Sequence, residues 1–190
     1  MLLILASASP RRADLLREAG IEIEVLPAHV NEDVEPGEAP EAYVRRVADA
    51  KACAISQRMP DRFVLAADTA VVVEGRILGK PVNDKDAERM VRLLSGRSHL
   101  VVSGVCLMKN GVCAVQTEVE TTVVEFADLS PAEIAWYVAS GESMDKAGGY
   151  GIQGLASRFV TRIVGSYTNV VGLPIAVVYR MCTKAGLLLS

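Results

Sequence analysis

Asp68 is the most costly side chain in this sequence. It interrupts residues 63–73, a run that is otherwise apolar apart from Thr69. A carboxylate desolvated there needs a metal ion, a lysine or neighbouring amides to offset the cost. Such a carboxylate suits a general base, and an acid held in a purely structural network is the alternative. Lys51 breaks an apolar pattern in the same way. It falls within the stripe Val44, Val47, Ala48, Lys51, Ile55 of a predicted helix, spaced to lie on one face. A buried ammonium requires a carboxylate or a ligand anion, unless its head snorkels to water.

Two further segments carry chemistry in their composition. Ser7-Ala8-Ser9-Pro10-Arg11-Arg12 follows a short apolar run. Ser9 suits an N-cap and Pro10 the first helical position. The exposed amides of that helix start, with Ser7, Arg11 and Arg12, could hold phosphate oxygens; an ordinary capped helix with solvated arginines is the other reading. Gly148-Gly149-Tyr150-Gly151-Ile152-Gln153-Gly154 allows backbone to approach a ligand closely. Tyr150 and Gln153 are its candidate base-recognition groups, against a plain connection between helix and strand. Glu32 and Asp33 lie in an acidic loop that spacing alone does not single out. With only His29 and His99 present, a histidine metal cluster or a Ser-His-Asp triad is disfavoured.

These residues must be positioned by a mixed set of elements. Residues 2–6 read as a strand buried on both faces, followed by a helix to Gly20 and a strand at 21–26. After the loop at 30–40 come a helix at 41–58 and a strand at 63–73, which Glu74-Gly75 turns back into 76–78. A helix at 84–95 has Asn83 as cap and Gly96 as terminator. Strands at 98–108 and 112–126 are joined by Asn110-Gly111, a type I′ turn pair. Ser130-Pro131-Ala132-Glu133 is a capping box that opens a helix to Gly141. The glycine-rich loop leads to a strand at 158–164 and a closing helix at 174–184. The fold class is therefore α/β with a mixed sheet.

Composition narrows the function classes. The chain has 190 residues, is 51% hydrophobic and carries a formal charge of -3, which supports a packed core and argues against a broad basic nucleic-acid surface. Cys53, Cys106, Cys113 and Cys182 lack C-x-x-C spacing, so a reducing compartment fits better than a zinc site or a disulfide framework. The apolar start is too short for a signal core, and no run is long enough to span a bilayer. A cytoplasmic protein without membrane partners is expected.

Taken together, S-A-S-P-R-R at 7–12, A-A-D-T at 66–69, L-G-K-P at 78–81, L-S-G-R-S-H at 94–99 and D-K-A-G-G-Y-G-I-Q-G at 145–154 resemble the Maf family of nucleoside triphosphate pyrophosphatases. The order and spacing of these motifs cover nearly the whole chain. The resemblance implies one ITPase-like domain over residues 1–190, with a strongly twisted mixed sheet, flanking helices and two lobes around a deep cleft. It also implies a divalent cation, Mg2+ or Mn2+, and hydrolysis between the α- and β-phosphates.

Carried over by position, Asp68 is the proton acceptor and a metal ligand. Glu32 is its partner at the metal, Lys51 and Lys80 are catalytic lysines, and Arg11 and Arg12 bind substrate, joined by Ser7 from the reading of the helix start. Arg11, Thr69 and Gln153 match the selectivity positions of the subgroup acting on dTTP and UTP, extending to modified pyrimidine nucleotides. A glutamine amide suits that reading, because it can pair with the donor and acceptor edge of uracil or thymine. The alternatives are a 7-methyl-GTP pyrophosphatase of the same family and a non-catalytic nucleotide-binding regulator of cell division. The expected partner is the nucleoside triphosphate, without stable nucleic-acid binding, and a homodimer is compatible with the sequence.

Overall fold

The computed structural model describes residues 2–110 and 113–187. Its strands are β1 (Leu3–Leu5), β2 (Ile23–Val25), β3 (Val64–Val73), β4 (Arg76–Leu78), β5 (Ser98–Lys109), β6 (Cys113–Phe126) and β7 (Val160–Val164). The helices are α1 (Pro10–Glu18), α2 (Pro40–Ser56), α3 (Asp84–Leu94), α4 (Pro131–Ala139), α5 (Tyr167–Val171) and α6 (Ile175–Lys184). The strand order is β2-β1-β3-β5-β6-β7, with β4 on β3. Strand β1 runs parallel to β2 and β3, while β3–β4 and β6–β7 are antiparallel. The sheet is mixed, as the alternation of separated strands and local hairpins requires.

The chain divides into two compact units. The first comprises Met1–Thr69, Ser103–Glu120 and Gly172–Ser190. Its core joins Ile4 and Ala6 of the β1 segment, Ala48, Ala52 and Ile55 of α2, Val64 and Ala66 of β3, and Cys106 and Met108 of β5. Removing one such side chain, as in Ile55→Ala, costs about 2–5 kcal/mol. Gly104 lets α2 lie directly on β5: a Cβ there would stand 2.3 Å from the Val44 carbonyl oxygen. That backbone contact sets the height of the Lys51-bearing helix above the sheet.

The second unit comprises Ala70–Val102 and Thr121–Val171. Ala87, Met90, Val91 and Leu94 of α3 pack with Ile134, Tyr137 and Val138 of α4, and with Phe126, Tyr150 and Phe159. Helix α3 is capped by Asn83, whose side chain accepts from the Asp86 amide, and α4 by the reciprocal Ser130–Glu133 box. The β3–β4 turn holds Glu74 at φ 50° and Gly75 at φ 74°, the left-handed pair a type I′ hairpin needs.

Several local details differ from the sequence reading. Ser9 occupies the N-cap of α1 but makes no side-chain cap bond; its amide donates instead to Ser7 Oγ at 3.2 Å. Strand β7 starts at Val160 because Leu155–Phe159 forms a 3-10 helix. Its three-residue period turns Ala156 and Phe159 inward together. Helix α5, with Asn169 and Val171 buried, was not expected, being too short for an amphipathic period to register. Asn110 has φ 69°, whereas Gly111 and Val112 of the expected hairpin lie outside the described residues.

Candidate active site

Two consecutive residues in the middle of β3 serve two different helices of the first unit. Asp68 reaches α2, where Lys51 Nζ donates to Oδ1 at 2.8 Å. Thr69 reaches α1, where its Oγ1 accepts from Arg12 Nη2 at 3.1 Å. The alternation of side chains along a strand produces this division.

Lys51 joins two carboxylates. It stands 2.8 Å from Asp68 Oδ1 and 2.9 Å from Glu32 Oε1, with side-chain exposures of 7% for Lys51, 8% for Asp68 and 47% for Glu32. The interruption of an apolar stripe by lysine therefore marks a buried ion pair. The other Asp68 oxygen, Oδ2, is buried without a hydrogen-bond partner among the described residues. An orphaned carboxylate oxygen is costly in a purely structural role and useful to a proton acceptor or a cation ligand.

Helix α2 also holds the acidic loop that carries Glu32. Tyr43 Oη donates to the Glu32 carbonyl oxygen at 3.0 Å. Arg46 grips Glu38 with Nε at 2.6 Å and Nη2 at 2.7 Å, and its Nη2 also donates to the Asp33 carbonyl oxygen at 2.9 Å. The Arg46 hydrogen bonds hold the Glu38 carboxyl down at about 2. Tyr43, Arg46 and Glu38 were not singled out by sequence; the available signal was an arginine within reach of an acidic loop.

Arg12 is buried, and four of its N–H bonds go to internal acceptors. Nε donates to the Gly172 carbonyl oxygen at 2.8 Å, Nη1 to Ser7 Oγ at 3.2 Å and the Ala67 carbonyl oxygen at 2.8 Å, and Nη2 to Thr69 Oγ1. Burial lowers its pKa, opposed by the negative charges of Asp68 and Glu32. Arg12 thus grips the strand on both sides of Asp68, a role its motif did not announce. Ser7 Oγ accepts from both Arg12 and the Ser9 amide, which leaves its own hydroxyl proton to donate. Arg11 beside it is half-buried.

Lys80 and Gln153 belong to the second unit, and both are exposed. Lys80 follows Gly79, whose carbonyl oxygen accepts from the Gly148 amide at 2.9 Å. Gly148 has φ 69°, and a Cβ there would meet Val71 at 2.9 Å, so glycine is required at this contact. Tyr150 departs from the expectation of a base-recognition group. It is buried, its hydroxyl lies 2.7 Å from His99 Nε2, and its ring packs edge-on against Phe126.

The donor set suits a hard divalent cation. Asp68 and Glu32 offer carboxylate oxygens, the ligands preferred by Mg2+ and Mn2+. Among the described residues no group of three or more His, Cys, Asp or Glu could hold a metal ion. Two carboxylates fit a cation that takes its remaining ligands from water and phosphate.

Comparisons with known proteins bear on the family and the fold. A dTTP/UTP pyrophosphatase of Koribacter versatilis (strain Ellin345) is 54% identical over 186 residues, covering 98% of this chain and 95% of that protein. A dTTP/UTP pyrophosphatase of Syntrophomonas wolfei is 50% identical over 182 residues, covering 96% of each. A solved structure of a HAM1 protein from Coxiella burnetii shares the fold, with a TM-score of 0.53 and 17% identity over 97% of this chain and 99% of that one. The description of Maf-like proteins matches residues 2–185. A match of that extent places this chain in the Maf family.

Proposed function

We propose that this chain hydrolyses dTTP and UTP to the monophosphate and pyrophosphate, with Asp68 as the proton acceptor. The supporting observation is the asymmetry of Asp68: Lys51 fixes Oδ1, while Oδ2 is buried without a partner among the described residues. A carboxylate held at one oxygen presents the other in a defined direction. The names of relatives about half identical over almost the whole chain support the choice of substrates.

In this reading a water oxygen bonds to the α-phosphorus and the bond to the α,β-bridging oxygen breaks. The water's proton passes to Asp68 Oδ2, and pyrophosphate leaves. A divalent cation, Mg2+ or Mn2+, held by Asp68 and Glu32 would neutralise phosphate charge and make the attacking water more acidic. Lys51 keeps the two carboxylates in register. The Ser7 hydroxyl, the α1 amides and Arg11 bind phosphate oxygens, and Lys80 stabilises the charge developing on the leaving group. Arg12 contributes chiefly by fixing Ser7 and the strand around Asp68. Arg11, Thr69 and Gln153 set the choice of base.

We further propose that residues 1–190 act as one domain, since β3, β5 and β6 each run through both compact units. A cytoplasmic location is proposed from the thiols of Cys106 and Cys182, which suit a reducing compartment. No helix among the described residues is long and apolar enough to cross a membrane. The test is direct: purified protein, Mg2+ or Mn2+ and a nucleotide panel, assayed for pyrophosphate. Release of pyrophosphate from dTTP and UTP in preference to purine triphosphates and 7-methyl-GTP is expected. Tight binding of UTP without turnover would overturn the reading.

A further inference from the structure

The Thr69 hydroxyl has no bonding capacity left for a substrate. Its Oγ1 accepts from Arg12 Nη2 at 3.1 Å, lies 3.1 Å from the Gly172 carbonyl oxygen and lies 2.8 Å from Ser103 Oγ. A carbonyl oxygen cannot donate, so the Thr69 proton goes to Gly172. Ser103 must then supply the remaining proton. One donor and two lone pairs are all that a hydroxyl possesses, and here all three are used. Ser103 is fully buried on β5, where it interrupts an apolar strand as Asp68 interrupts β3.

We infer that Ser103 is a further specificity-determining residue, a positioning residue that acts through Thr69 and Arg12 rather than by touching the nucleotide. The inference rests on the proposed role of Thr69 in base choice and supplies its physical route. Ser103 and Gly172 orient the Thr69 hydroxyl, and that hydroxyl fixes Arg12 Nη2. The same guanidinium holds Ser7 Oγ and the Ala67 carbonyl oxygen. Loosening the network shifts the phosphate-binding serine relative to the strand that presents Asp68. Selectivity between nucleotides depends on that registration, because small misplacements alter transition-state binding differently for different substrates.

The test compares kcat and KM for UTP and 7-methyl-GTP in the wild-type protein and in Ser103→Ala, Thr69→Val and Thr69→Ser. Losing one buried hydrogen bond in this network lowers the UTP over 7-methyl-GTP preference by about tenfold in both Ser103→Ala and Thr69→Val. Thr69→Ser, which keeps the hydroxyl, retains the wild-type preference. If Ser103→Ala fails to fold, Ser103→Cys keeps the volume with a weaker donor and shifts the preference in the same direction. A wild-type preference in the Ser103 variant beside a shifted one in Thr69→Val overturns the inference and assigns Thr69 a direct contact. Unchanged preference in every variant also overturns it, while turnover of UTP leaves the proposed activity standing. Wild-type protein that hydrolyses no UTP defeats both.

Discussion

Lys51 Nζ stands 2.8 Å from Asp68 Oδ1, with both side chains almost fully buried. The same ammonium reaches the half-exposed Glu32 at 2.9 Å. One cation therefore neutralises the buried acid and sets its distance from a second carboxylate. The pair explains why a helix otherwise apolar on its inner face carries a lysine there.

Removing the cation should cost far more than removing the exposed acid. Lys51→Met strands Asp68 as an unpaired buried carboxylate and should lower unfolding stability by about 3–5 kcal/mol in urea titrations. Glu32→Gln should stay within about 1 kcal/mol of wild type, because its pair is solvent-screened, yet should reduce turnover. Equal stability losses would contradict the assignment of Lys51 to Asp68.

His99 makes stability depend on pH. Burial lowers its pKa from 6.5 to about 4, so the unfolded chain takes up this proton before the folded protein does. Stability present above pH 6.5 should decline as the pH falls towards 4, by up to about 3 kcal/mol from this residue. His99→Gln should flatten that slope in denaturation series between pH 7 and 4. An unchanged slope would show that other groups cause it.

Arg46 and Glu38 should govern the order of the loop that carries Glu32. The Glu38 carboxyl is depressed from 4.5 to about 2 by its Arg46 bonds, so the tie is intact above pH 4.5 and is lost as the pH falls towards 2. Arg46→Gln should accelerate amide exchange across residues 30–39 at neutral pH and lower turnover. Wild-type protection in the variant would show that Tyr43 alone is enough to hold the loop.

Much of this site was legible because its residues violate local patterns. Asp68 in an apolar strand and Lys51 in an apolar helical stripe each demanded a partner, and each is the partner of the other. The Arg12 network was not legible, since its acceptor Gly172 lies 160 residues away and nothing in a carbonyl group marks it in sequence. Ser103 obeyed the same rule as Asp68, but a hydroxyl in a strand is a weaker violation than a charge. Glu32 was chosen by resemblance alone, because its pairing with Lys51 depends on a loop conformation held by Tyr43 and Arg46. In the fold, long periodic elements and turn chemistry carried most of the information. The 3-10 helix at Leu155–Phe159 and the five-residue α5 fall below the length at which periodicity can speak.

The central claim is that Asp68 drives water onto the α-phosphorus. Hydrolysis of UTP in 18O-enriched water, followed by mass analysis of both products, tests it most directly. The wild-type protein should place the label in UMP and none in pyrophosphate. Asp68→Asn should still bind UTP while turning over about 10²–10⁴-fold more slowly. Label in pyrophosphate, or near-normal turnover by Asp68→Asn, would contradict the account.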